Sequence, residues 1–107
     1  MDLFWLGGEG FQDIPSWAYV YLTTTLKVPP ENLTGLRSVQ KIGLWDGKWV
    51  SFIRIYDPRT SEESSLVKDF TSLDQHPELV LYEGYIEERS DRVFLQSSRA
   101  APKLQPQ

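Results

Sequence analysis

The 107-residue chain contains no cysteine and only one histidine, His76. Without cysteine, the sequence excludes disulfide bonds, thiolate nucleophiles, zinc ribbons and iron–sulfur clusters. Any metal would have to be bound by oxygen ligands, and no Asp-x-Asp-x-Asn-Gly calcium loop is present. We therefore expect a protein that uses neither a metal nor a cofactor.

The chain also lacks a long apolar run. Its longest uncharged stretch, Ile14 to Leu26, is shorter than the about 20 apolar residues that a membrane-spanning helix needs, and it contains four serine or threonine residues. Residues 1–10 have neither the basic region nor the apolar core of a signal peptide, so we expect none. These features favour a cytoplasmic protein that does not contact membranes.

Positive charge is scarce and unevenly placed. Eleven Lys and Arg residues against 15 Asp and Glu give a net charge of −4. Residues 36–56 carry four basic residues and one acidic residue, a net +3, whereas residues 60–91 carry nine acidic and two basic residues, a net −7. The acidic balance argues against a nucleic-acid-binding domain, because such domains have a broad basic surface.

The composition is that of a folded domain. Hydrophobic residues make up 40% of the chain and aromatic residues 13%, which argues against a disordered protein. The length corresponds to one domain. We expect residues 1–97 to form a single globular domain, and residues 98–107, which include two prolines and no periodic pattern, to be a disordered tail.

The clearest local signal is a β-hairpin over residues 37–56. Two strand-like runs flank Asp46-Gly47, and Asp-Gly between such runs is a strong signal for a two-residue type I′ turn. This turn predicts the register: Trp45 faces Lys48, and the pairing continues until Val39 faces Arg54.

Three further elements complete the predicted fold. Residues 78–97 show a second hairpin, whose Gly84 indicates a bulge or a close contact. Residues 14–27 favour a helix by their spacing but a strand by their composition, and a capping-box pattern predicts a helix over 61–75. The expected fold class is α+β: one antiparallel sheet built from the two hairpins, with one or two helices packed on one face.

Strand alternation gives the first hairpin two different faces. One is apolar and is assigned to the core. The other interleaves cations with apolar side chains, and we call it the basic-aromatic face. Its candidate binding residues are Arg37, Lys41, Trp45, Phe52, Arg54 and Tyr56.

Three interpretations of the basic-aromatic face remain open. It can bind a partner, such as an acidic peptide recognised through charge-assisted hydrogen bonds. Its Lys and Arg stems can cover apolar sheet surface. The acidic second half of the chain can also pair with it across strands.

Catalytic signals are weak. Any Ser-His-Asp arrangement must use His76, and the chain has no Gly-x-Ser-x-Gly nucleophile motif. Glu83 and Glu87 share a strand face, but four residues span about 13 Å, more than the roughly 5–9.5 Å between glycosidase carboxylates.

We therefore expect a small non-enzymatic binding or protein-interaction domain, with a protein partner, a second copy or an anionic ligand on the basic-aromatic face. One alternative is a small enzyme or anion-binding domain with a pocket between helix and sheet, in which Arg54 binds the anion and Glu83 or His76 acts as acid or base. Another is a structural subunit whose aromatic face is buried in a dimer.

Overall fold

A computed structural model of the chain describes residues 3–8 and 12–98. It confirms the α+β class, with one antiparallel sheet and one helix in a single domain. The strands are β1 (Leu3–Gly8), β2 (Gln12–Asp13), β3 (Arg37–Trp45), β4 (Lys48–Tyr56), β5 (Val80–Glu87) and β6 (Arg92–Ser97), and the helix α1 is Ser16–Val20. The sheet order is β1-β3-β4-β5-β6, and the short β2 also pairs with β3.

The first hairpin has the predicted register. Trp45 pairs with Lys48, and the pairing continues without interruption to Arg37 and Tyr56. Asp46 and Gly47 have φ values of 54° and 77°, as both central residues of a type I′ turn require. The turn therefore decides which side chains of β3 and β4 share a face.

The second hairpin pairs with the first through β4 and β5. Residues 88–91 connect β5 to β6, one residue earlier than the connection at residues 89–92 that the sequence indicates. At Gly84, an added Cβ atom would collide with the backbone oxygen of Phe94, which confirms the close contact inferred from the sequence. The pairing of β4 with β5 shifts register beside Tyr56, which pairs with Val80.

This shift corrects the expected faces of the second hairpin. Regular strand alternation would place Val80 on one face with Tyr82, and Leu81 on the other. Because a bulge interrupts the alternation, Val80 packs with Tyr56 on one face, while Leu81 and Tyr82 both pack on the opposite face.

Within residues 14–27, Ser16–Val20 and Tyr21–Thr25 are helical, so the spacing and not the strand-favouring composition decides the conformation. After α1, Tyr21–Thr25 form a π-helical turn. Thr24 donates its hydroxyl proton to the Val20 carbonyl, and Lys27 ends the segment with a φ of 61°. The apolar side of this helical segment packs on the first core, whose buried residues are Ala18, Leu22, Leu33, Leu36, Ile53, Ile55 and Leu95.

The continuous helix expected over residues 61–75 does not form. The structure instead has 3-10 turns at Glu63–Leu66, Thr71–Gln75 and Pro77–Leu79. Serine side chains compete for the backbone groups that a helix would use: Ser64 bonds the carbonyls of Pro58 and Ser61. We call residues 57–79 the covering segment.

The covering segment lies on the face opposite α1, so the sheet is covered on both faces and not on one as expected. Its Val67 and Leu73 pack with residues from three strands to form a second core. The strand residues of this core are Val39, Tyr56 and Val80.

The chain end is described up to Ser98. The composition predicts that the tail begins at Ser98, but Ser98 is buried and its backbone N–H donates to the carbonyl of Leu81. The rest of the expected tail, residues 99–107, lies outside the described residues. Within the described parts of the chain, no helix is long and apolar enough to span a membrane.

The positive φ of Gly47 gives a direct test of the turn. An added Cβ atom would meet nothing within 4 Å there, so any cost arises from the backbone conformation alone. We expect Gly47→Val to lower the free energy of unfolding by at least about 1 kcal/mol, measured by urea denaturation. Gly47→Asn should cost clearly less, because asparagine tolerates positive φ. Equal midpoints for the two variants would contradict this account.

Candidate functional site

The covering segment divides the basic-aromatic face into two halves. At the end far from the turn, Tyr56 is only 2% exposed and belongs to the second core. Burial raises the pKa of the Tyr56 phenol, an effect that the nearby Arg37 guanidinium partly opposes. This half is therefore a packed interior and not a surface for a partner.

The cations of the basic-aromatic face contact groups within the domain. Arg37 lies 3.5 Å from the carboxylate of Asp13. The Lys41 ammonium donates to the Thr71 hydroxyl at 3.4 Å. On the turn side, Lys48 lies 3.8 Å from Glu87. Of these contacts, the one between Lys48 and Glu87 supports the interpretation that the acidic second half pairs with this face, since Asp13 lies in the first half and Thr71 is uncharged.

Arg54 makes three contacts with the covering segment. Its Nη1 atom donates to the backbone oxygen of Phe70 and to a carboxylate oxygen of Asp74, both at 2.9 Å. Its guanidinium carbon lies 4.0 Å from the centre of the Phe70 ring. The side chain is only 21% exposed. Arg54 thus links the covering segment to the sheet through these contacts.

The half of the basic-aromatic face near the Asp46-Gly47 turn is aromatic and open to solvent. Four rings, one from each of β3 to β6, form what we call the aromatic cluster. Its ring centres are separated by 5.7 Å between Trp45 and Tyr85, 6.0 Å between Phe52 and Tyr85, and 5.9 Å between Tyr85 and Phe94. The indole of Trp45 therefore reaches across β4 to the ring on β5.

The strand register explains why these rings meet. Phe52 pairs with Tyr85, which pairs with Phe94, so three aromatic residues occupy one row across three strands. Tilted and edge-on contacts at these separations are the favoured aromatic geometry. The cluster is therefore held in place by its own contacts although part of it faces solvent.

The aromatic cluster forms the floor and walls of a shallow groove of about 330 Å³. Trp45 is 36% exposed and Phe94 is 44% exposed at its two sides. Arg54 and Phe70 also line the groove. The lining residues are Trp45, Phe52, Ile53, Arg54, Phe70, Glu83, Gly84, Tyr85, Phe94 and Gln96.

Of the six residues selected from the sequence, the structure brings Trp45, Phe52 and Arg54 together in this groove. Lys41 is the cross-strand partner of Phe52, while Arg37 pairs with Tyr56 at the covered end. Tyr85 and Phe94 are not among the residues that the sequence pattern selects. Alternation within each strand could place them on a face, but only the pairing of β4 with β5 shows that this face is shared.

The acid–base candidates are not assembled into one site. Arg54 and Glu83 are cross-strand neighbours and both line the groove. His76 does not line it, and its Nδ1 atom lies 3.6 Å from Glu78 instead. The groove also lies on the face opposite α1, so it is not the expected pocket between helix and sheet.

Other polar groups have local structural roles. The pKa of Asp69 is lowered, chiefly because its carboxylate accepts hydrogen bonds from the backbone N–H and the hydroxyl of Ser72. In the part of the chain that the structure describes, no three His, Cys, Asp or Glu side chains are grouped so that they could hold a metal ion.

No protein-family model, no curated protein and no solved structure matches this chain.

The contacts of Arg54 predict that it stabilises the fold. We expect Arg54→Ala to lower the free energy of unfolding by about 1–3 kcal/mol, because two hydrogen bonds from a charged group are lost. Arg54→Lys should recover only part of this, since lysine lacks the planar guanidinium. Both are measured by urea denaturation.

Lys48→Ala is the matched control, because Lys48 is a 60% exposed cation of the same face. It should change the free energy of unfolding by less than about 0.5 kcal/mol. If Arg54→Ala unfolds like the wild type, its contacts with the covering segment are not structural.

Proposed function

We propose that this protein is a small non-enzymatic interaction domain that binds an apolar segment of a protein partner in the aromatic groove. The observation that carries the proposal is the aromatic cluster, in which four strands each contribute one ring to an open surface. Tryptophan and tyrosine are enriched among the residues that dominate binding energy at protein interfaces.

The electrostatics of the groove favour an uncharged segment over an anionic one. Arg54, the cation that lines the groove, bonds Asp74 within the domain. Glu83 lines the same groove and adds a negative charge. An anionic ligand would have to displace a carboxylate from Arg54 and approach a second one. For the same reason we do not propose a nucleic acid as the partner.

The absence of cysteine bears on the cellular compartment in which the interaction takes place. A chain without cysteine is suited to a reducing compartment, because it does not depend on disulfides for stability. We therefore propose that the interaction takes place in the cytoplasm.

Two tryptophans provide a matched test of the groove. Trp45 and Trp49 flank the same turn and have similar exposure, 36% and 39%, but they occupy opposite faces of the hairpin. Peptides would be selected from a random display library on the wild-type domain and then measured individually by fluorescence titration.

We expect selected peptides to be rich in apolar residues. Their binding should weaken at least about tenfold on Trp45→Ala, because the indole forms one side of the groove. Trp49→Ala should leave binding nearly unchanged. Peptides that are acidic, salt-sensitive and unaffected by Trp45→Ala would support the anionic-ligand alternative instead. Circular dichroism of each variant verifies that the fold is retained.

A further inference from the structure

One edge of the sheet is open to another strand. β6 is the last strand in the sheet order and pairs only with β5 among the described residues. The N–H of Ser98 donates to the carbonyl of Leu81, which fixes the direction of the backbone groups along this pair. The N–H and C=O groups of successive residues in an antiparallel strand point alternately to the two sides. Since those of Ser98 point to β5, those of residues 92, 94 and 96 also point to β5. The backbone groups of Val93, Leu95 and Ser97 point outward.

β6 has few of the features that usually prevent edge pairing. Natural edge strands are protected by Lys residues, prolines, bulges or covering elements. β6 contains no proline, its pairing with β5 has no bulge, and its one charged residue, Arg92, lies at its start. Phe94 is 44% exposed on this strand, at the end of the aromatic row. The edge therefore combines outward backbone groups with an exposed aromatic ring.

We propose that two copies of this chain associate through antiparallel pairing of their β6 strands, with Phe94 of one copy opposite Phe94 of the other. In this register, Val93 of each copy exchanges backbone hydrogen bonds with Leu95 of the other. Arg92 faces Gln96, so no like charges are opposed. The two sheets become one continuous sheet, and the aromatic clusters join across the two-fold axis.

The position of the axis follows from side-chain exposure. An axis at Leu95 would oppose two side chains that are already buried in the first core, where Leu95 is 1% exposed. An axis at Phe94 forms a pair of the non-hydrogen-bonded type, in which the side chains approach most closely. In this arrangement each exposed Phe94 ring covers the other. The two-fold symmetry limits the assembly to two copies.

This inference does not require the proposed function. The dimer depends on the edge strand, whereas ligand binding depends on the groove. The two can be tested separately because Trp45 belongs to the aromatic cluster but lies three strands away from β6. The contact is small, so we expect a dissociation constant on the order of micromolar.

The first experiment is sedimentation equilibrium of the full chain over a range of concentrations. We expect a reversible monomer–dimer equilibrium for the wild type. Phe94→Lys should weaken dimerisation at least about tenfold, because it removes an aromatic pair and opposes two like charges. Trp45→Lys adds the same charge at a similarly exposed position of the aromatic cluster and should leave the dimer intact. Equal loss in both variants would mean that the aromatic face itself is buried in the dimer, which overturns the edge pairing.

Charge complementation tests the register. Phe94→Glu should also weaken the dimer, and mixing the Phe94→Lys and Phe94→Glu chains should restore it, since opposite charges then face each other. Failure of the mixture to associate would overturn this register.

Amide hydrogen exchange tests the pairing without any substitution. In the dimer, the N–H groups of Val93 and Leu95 should become protected as the protein concentration rises. Those of Phe94 and Gln96 face β5 and should be protected at every concentration. A monomer at all concentrations overturns the proposal. Protection of Val93 and Leu95 in such a monomer would mean that another segment of the same chain occupies the edge.

Discussion

The register of the β3–β4 hairpin is the constraint on which the rest of the structure depends. The Asp46-Gly47 turn fixes it, and each strand added to the hairpin inherits its two faces. A slip of one residue would exchange the apolar and mixed faces of the hairpin. The first core, the second core and the aromatic cluster all depend on this register.

Both faces of the hairpin are used, but in different ways. α1 packs on one face with a regular pattern of apolar side chains, as an amphipathic helix does. The covering segment packs on the other with scattered apolar residues, and Arg54 joins it to the sheet through hydrogen bonds and a cation–aromatic contact. Because the covering segment reaches only part of this face, the aromatic cluster stays open to solvent.

The sequence predicted those features that depend on local backbone chemistry. The type I′ turn and the register of the first hairpin follow from residue types close to the turn. The prediction of a helix over residues 61–75 was wrong because the hydroxyls of Ser64 and Ser72 form hydrogen bonds in local turns. The spacing of apolar residues does not reveal that side chains compete with a helix for its backbone groups. The sequence identified only two of the four rings of the aromatic cluster, Trp45 and Phe52. Tyr85 and Phe94 join them through the pairing of the two hairpins, which no local sequence signal encodes.

The strand order has a consequence for how the chain folds. From β3 to β6 each strand pairs with the next one along the sequence, but only two of these three pairings close short loops. The Asp46-Gly47 turn and the connection at residues 88–91 are short, and such local contacts favour rapid folding. β5 pairs with β4 across residues 57–79, and β2 pairs with β3 across residues 14–36, so these two pairings close loops of the same length. The two hairpins can therefore form first, before they join through β4 and β5 and before the amino-terminal strands are added to β3.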